Sequence, residues 1–304
     1  MLVGGVNLFF MKRKIFLFLA IVSVVGMIAI SGCGKEKVYR VSFDANGGTG
    51  EMKQQAFAKD RPQSLISNAF THIGYLFDGW NTVSDGSGEA YTEAQEIVLD
   101  EDITLYAQWK AHEWVDLGLP SGTKWATYNV GATKPEEFGD YFAWGETTPK
   151  SDYTYGTYKY CTADYDSESN SFINIFFSKY NFNSSYGIVD DKTVLDMEDD
   201  AAMINWGDNW RMPTYGELYE LKTECSWILT INGGVNGYLL TGPNGNSIFL
   251  PTAGCKNGTS LYVESFKYWS NTRAGYYVFC LDFEDEYINY SQRFLGSTVR
   301  AVRQ

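Results

Sequence analysis

Four groups of residues in this 304-residue chain have the types and spacing to do chemistry. Cys33 follows Ile30-Ser31-Gly32 at the end of an apolar run, where its sulfur is placed to take a lipid. Cys161, Cys225, Cys255 and Cys280 form the second group. An even number outside the cytoplasm permits disulfides in three pairings, and buried thiols are an equal alternative in a domain large enough to fold without them. Asp164, Asp166, Glu168 and Asn170 alternate like the first oxygen ligands of a calcium loop, but Ser169 stands where that loop needs glycine and Ile175 where it needs a bidentate glutamate. Ca2+ is the one cofactor the sequence raises, and a solvated acidic loop is the plainer reading. Tyr153, Tyr155, Tyr158 and Tyr160 make the last group, either a stacking platform for sugar or protein or the inner face of a half-buried strand.

Catalysis finds little to work with. His72 and His112 are the only histidines, so residues 113–304 contain none. That removes Ser-His-Asp and Cys-His nucleophile schemes, and histidine-ligated zinc, from the larger part of the chain. No Cys-x-x-Cys occurs, which argues against zinc ribbons and thioredoxin-like redox sites. A glycosidase-type pair of carboxylates is chemically available, yet acids are so abundant here that any pair arises by chance. The expectation is a protein that is not an enzyme.

These groups must be carried by elements the sequence also marks. Lys12, Arg13 and Lys14 precede the apolar run from Ile15 to Ile30, which has signal-peptide order and is shorter than the ~20 residues a spanning helix needs. Met11 is the expected start. Residues 30–33 resemble the lipobox of bacterial lipoproteins, whose cysteine is acylated and becomes residue one; the resemblance implies a 1–32 leader, a lipid on Cys33, a 33–37 tether and an outer-membrane location. Loss of Lys12, Arg13 and Lys14 with the leader takes the net charge from −13 to −16. Such a chain repels nucleic acid and anionic headgroups, so the lipid alone must hold the membrane.

Residues 38–109 read as a β-rich first module. Val38 to Asp44 alternates like a strand, Asn46-Gly47-Gly48 and Asp85-Gly86-Ser-Gly88 mark turns, and Gly74 to Trp80 and Ile103 to Trp109 are further extended runs. At most one short helix fits, between Gln63 and Asn68. Trp80 and Trp109 are expected in the core. Phe43-Asp-Ala-Asn-Gly-Gly, Gly74-Tyr-x-Phe-Asp-Gly-Trp80-Asn81, Asp85-Gly-Ser-Gly and Ile103-Thr-Leu-Tyr-Ala-x-Trp109, in that order, resemble one Listeria-Bacteroides repeat of the internalin B type. The resemblance implies a small β-grasp-like domain used on bacterial surfaces as spacer or adhesive unit.

A hinge is expected at residues 110–112, followed by a second module over 113–304 that mixes helix and strand, giving an α+β chain. Trp114 to Trp125 reads as strand, turn, strand, and Tyr141 to Trp144 as a strand. Glu198 to Asn205 can form a helix with Asp199 and Asp200 at its start, and Thr214 with Glu217 makes a capping box for a second. Strands follow, including a hairpin around Asn244-Gly245 and an extended run from Tyr276 to Phe283. Cys161 to Ser185 reads as a long polar loop, the kind of segment on which recognition concentrates. Asp116-Leu-Gly-Leu-Pro-Ser-Gly-Thr-Lys-Trp125, Gly139-Asp-Tyr-Phe-Ala-Trp-Gly-Glu-Thr147, Trp210-Arg-Met-Pro-Thr214, Tyr268-Trp-Ser270 and Val299-Arg-Ala-Val-Arg303 resemble the Fibrobacter succinogenes major paralogous domain of Bacteroidetes envelope proteins. More distantly they are similar to formylglycine-generating enzymes, which implies a C-type-lectin-like fold, but Cys255 and Cys280 do not match the spacing of the cysteines those enzymes use. The expected function is therefore a lipid-anchored envelope protein for binding or adhesion, with glycan or surface-protein partners; the alternative is a structural component without a soluble ligand.

Overall fold

The computed structural model describes residues 36–263, 266–282 and 288–304, and Cys33 and the expected leader lie outside them. The chain is built mostly of β-sheet with few helices. In the first module the strands are β1 (Val38–Asp44), β2 (Gln55–Ala58), β3 (Gln63–Ser64), β4 (Tyr75–Asn81), β5 (Ala90–Tyr91), β6 (Glu96–Ile97) and β7 (Ile103–Ala111). Five of them form one sheet in the order β2-β1-β7-β4-β5, with β1 and β7 parallel and the other pairs antiparallel. The alternation of β1 sends Tyr39 and Val41 inward to meet Phe57, Trp80 and Leu105. Trp80 is buried as expected, with Phe43 and Phe77 each 4.9 Å from its ring, while Trp109 is only half-buried and donates its indole N–H to the Ala45 carbonyl. Where the sequence left room for at most one short helix, Gln63 and Ser64 pair with β6. The Gln55 amide explains this, because it donates to the Ser64 carbonyl and accepts from the Ile66 N–H, holding the segment extended.

The second module closes its two ends together. Trp114–Asp116 and Lys124–Ala126 form the expected strand pair, and Val302–Arg303 joins their sheet, setting Val302 opposite Trp125. Two antiparallel meanders follow: Ser226–Asn232, Val235–Thr241 and Ser247–Pro251, then Tyr268–Ala274, Tyr277–Leu281 and Asn289–Gln292. The first contains the hairpin read around Asn244-Gly245. Tyr141 to Trp144 is not a strand and contributes only an isolated bridge between Phe142 and Ser297. Residues 161–177 are not an irregular loop: Cys161–Asp166 and Ser171–Phe177 pair as a hairpin with a bulge after Thr162.

Helix α1 (Ala201–Trp206) starts later than expected, because Asp200 takes the cap position and accepts from the Ala202 and Met203 N–H groups. Helix α2 (Tyr215–Glu224) carries the capping box, with Thr214 and Glu217 bonded reciprocally. Glu217 also holds the Arg211 guanidinium at 2.7 and 2.5 Å and the Thr123 hydroxyl at 2.6 Å. Burial pushes this carboxyl up, but those donors outweigh it and hold the pKa at about 2. The sequence motif from Trp210 to Thr214 is thus the clasp that ties α2 to the Lys124–Ala126 strand.

The expected hinge is absent. Lys110 and Ala111 belong to β7, and His112 is buried, its ring stacked 3.8 Å from Trp206 and its Nδ1 3.1 Å from the Tyr128 hydroxyl. Leu76 of β4 packs on the larger core of the second module. The two modules therefore meet through an apolar seam rather than through a tether.

Candidate functional site

The residues singled out for chemistry are mostly consumed by packing. Tyr153, Tyr158 and Tyr160 are buried, and each hydroxyl is spent inside the protein: Tyr153 donates to the Tyr141 carbonyl, Tyr158 to the Trp144 carbonyl and Tyr160 to Asp199. Tyr155 is half-buried against Phe294, 4.3 Å away. A stacking platform at residues 153–160 is thereby corrected to core. The four cysteines downstream of Cys33, namely Cys161, Cys225, Cys255 and Cys280, are buried free thiols. Burial raises the thiols of Cys161 and Cys225 to about 11 and Cys280 to about 12, so they are inert as nucleophiles.

The alternating acids do not converge on a cation. Asp166 accepts from the Glu168 N–H and the Ser169 hydroxyl, Asp164 accepts from the Asn174 amide, and Asn170 takes a positive φ and accepts from Tyr165. They shape a hairpin turn, which corrects the calcium-loop spacing to turn chemistry. A tighter acidic group lies elsewhere, where carboxylate oxygens of Asp196, Glu198 and Asp199 come within 4.8 Å of one another. The Lys179 ammonium sits among them, 2.6 Å from both Asp196 and Asp199 and 3.5 Å from Glu198. The positive charge such a group needs is already supplied. Burial raises the Asp199 carboxyl, but hydrogen bonds from Lys179, Tyr160, Tyr180 and Lys159 reverse this and hold it at about 2.

A cleft of about 430 Å³ opens at the seam between modules, walled by His72, Tyr75, Trp109, His112 and Trp206 among others. His112 is desolvated there, its pKa lowered to about 4 by burial, with one ring face stacked on Trp206 and Trp210 meeting it edge-on at 6.2 Å. The histidine is thus spent on holding the modules together, through its stacking on Trp206 and its contact with the Tyr128 hydroxyl.

Among the described residues, one surface that displays aromatic side chains is the second meander, strands Tyr268–Ala274, Tyr277–Leu281 and Asn289–Gln292. Its first turn is fixed from within: Arg273 Nη1 at 3.0 Å and Arg293 Nη2 at 2.9 Å both donate to the Gly275 carbonyl. Gly275 has φ +62°, a conformation in which a side chain is strained. Two aromatic groups flank this turn. On one flank Tyr276 meets Phe182 at 4.7 Å and Tyr186 at 5.0 Å, its hydroxyl bonded to the Asn183 amide, while the Arg273 guanidinium lies over Phe182. On the other flank the alternation of Tyr277–Leu281 turns Val278 and Cys280 inward and leaves Tyr277 and Phe279 outward. Tyr290 stands across from Phe279 and 5.3 Å from Tyr277, and α2 extends the row, with Tyr215 4.4 Å from Phe279 and 6.2 Å from Tyr219. Tyr277, Tyr290, Tyr215 and Tyr219 are 41%, 58%, 37% and 47% exposed, so the row is solvent-facing rather than core. Neither group was picked out in the sequence, although Tyr277-Val-Phe279-Cys and Tyr290-Ser-Gln292 carry the period-two signal that separates outer from inner residues.

Comparison with known proteins bears on the first module. The family model of the Listeria-Bacteroides repeat domain matches residues 39–108. Two proteins of Evansella cellulosilytica are similar to part of the chain. One, named as a Gly-rich membrane protein, is 33% identical over 76 residues, 24% of this chain and 9% of the relative. The other, named as a membrane protein, is 36% identical over 78 residues, 24% of this chain and 12% of the relative. The chain thus spans about a tenth of the length of the curated relatives it matches. No solved structure matches the chain. Among the described residues no helix is long and apolar enough to cross a membrane. Residues 39–108 are a Listeria-Bacteroides repeat domain.

Proposed function

We infer that this is a lipid-anchored cell-envelope protein for binding or adhesion. In this reading Cys33 carries the lipid in the outer membrane, the repeat, with a β-grasp-like fold, stands next to it as spacer, and residues 113–304 present the ligand surface. We take that second module to be a Fibrobacter succinogenes major paralogous domain with a C-type-lectin-like fold, from a Bacteroidetes envelope. The observation that carries the function is the solvent-facing aromatic surface around Gly275, because an exposed aromatic patch on a rigid support is how proteins hold a glycan or a partner protein. Two buried arginines pin its turn, so little ordering is left for binding to oppose. Loops and turns on such a scaffold are where recognition concentrates.

Two experiments test the reading. Growth with labelled palmitate should tag the wild type and leave Cys33→Ala untagged; equal labelling removes the anchor. The chain from residue 36 onward, applied to glycan and surface-protein arrays, should retain ligands through the aromatic surface. No retained ligand would favour the alternative, a structural component of the envelope.

A further inference from the structure

We propose that the row Tyr290, Tyr277, Phe279, Tyr215 and Tyr219 binds a single, uncharged, twisted polysaccharide chain. The inference rests on the reading of residues 113–304 as a binding module and names its ligand class. The row joins two ring clusters, Tyr277 with Tyr290 at 5.3 Å and Tyr215 with Phe279 at 4.4 Å and Tyr219 at 6.2 Å, set side by side where Phe279 and Tyr290 pair across adjacent strands. A pyranose ring has an apolar face of C–H groups and a rim of hydroxyls. It therefore needs an aromatic face to stack on and hydrogen-bonding groups beside it.

Tyrosine supplies both, an apolar body with a polar tip. The hydroxyls of Tyr215, Tyr219, Tyr277 and Tyr290 have no hydrogen-bond partner among the described residues, in contrast to Tyr153, Tyr158 and Tyr160, whose hydroxyls are all engaged. Gln292 lies opposite Tyr277 on the same outward face and adds an amide that can donate and accept. A surface meant for a lipid or for an apolar helix would have no use for this row of free hydroxyls.

Charge selects among polysaccharides. None of the five side chains is charged, and the whole chain carries −13. An anionic polymer would approach a field of its own sign, whereas an uncharged one is not opposed. Ring orientation then selects the form of the ligand. Contacting rings within the two clusters are tilted by 48°, 45° and 29°, so the row is not flat. A crystalline face requires coplanar rings; a single chain that rotates along its axis can meet tilted ones in turn.

The test is affinity electrophoresis of the chain from residue 36 onward through gels containing amylose, mixed-linkage β-glucan, galactomannan or polygalacturonate, together with a pull-down on microcrystalline cellulose. The paired variant Tyr277→Ala with Tyr290→Ala is compared with Tyr165→Ala, an exposed tyrosine outside the row, and the melting point of each is recorded. Retardation by at least one soluble neutral polymer is expected, at least tenfold weaker in the paired variant, unchanged in Tyr165→Ala and with melting points preserved. Binding only to polygalacturonate or only to the crystalline solid, or no retardation by any neutral polymer, overturns the proposal. A protein ligand from the arrays whose binding the paired variant abolishes would also overturn it while leaving the module a binding module. Array ligands bound equally by wild type and paired variant would remove this face from recognition altogether.

Discussion

Tyrosines in this protein divide into those that build the second module and those it displays, and the division is testable one residue at a time. Tyr158 is buried and bonded to the Trp144 carbonyl, so Tyr158→Ala leaves a cavity and an unpaired acceptor and should cost about 3 to 5 kcal/mol. Tyr290→Ala, at a ring 58% exposed, should stay within about 0.5 kcal/mol of wild type by thermal unfolding. A reversed order would mean the two classes have been assigned the wrong way round. Acid should act through two carboxyls. Asp199 and Glu217 are held at about 2, below the ordinary values of 3.8 and 4.5. A group depressed on folding contributes stability that is full above its unfolded pKa and lost as pH falls through the folded one, so these two contributions should fade between about pH 4.5 and 2. In melting curves taken down a pH series, Glu217→Gln should be less stable near neutrality and should show a smaller further loss on acidification.

Elements differ in how far the sequence declares them, and the difference is one of range. The start of α2 was legible because Thr214 and Glu217 act over three residues, and Thr214→Ala should cost about 1 kcal/mol, measured by denaturant titration. The alternation of β1 and the Asn244-Gly245 hairpin were legible for the same reason. The tyrosines at 153–160 were not, since their burial depends on partners far along the chain, such as Asp199 for Tyr160. Likewise β3 is extended because of a side chain at Gln55, which no local pattern at residues 63–68 announces. The aromatic surface is an intermediate case. Tyr276 to Phe283 was readable as an extended run, but joining Tyr277 to Tyr290 and Tyr215 needs the strand register and the docking of α2. Gly275→Ala tests the support of that surface: a side chain at φ +62° strains the turn, by roughly 1 kcal/mol, and should weaken binding without touching any stacking ring.

At the scale of the whole molecule, two modules that looked separable along the chain are joined by His112 and Trp206. A protease added to the native protein should therefore spare residues 110–112, where the sequence promised a hinge. Burial lowers His112 from its ordinary 6.5 to about 4, so the seam holds a neutral ring. Its contribution is full above pH 6.5 and is lost as pH falls towards 4, a window above that of the carboxyls. Replacing it with phenylalanine should keep the stacked ring and abolish the loss between pH 6.5 and 4. On the proposed function, such a seam would fix the second module relative to the repeat, with the proposed recognition surface at the Gly275 turn. The most direct test of that account is the glycan and surface-protein array profile of the chain from residue 36 onward, wild type against the Tyr277→Ala and Tyr290→Ala pair. Loss of the retained ligands by a variant that still folds is the predicted result, and an unchanged profile would contradict it.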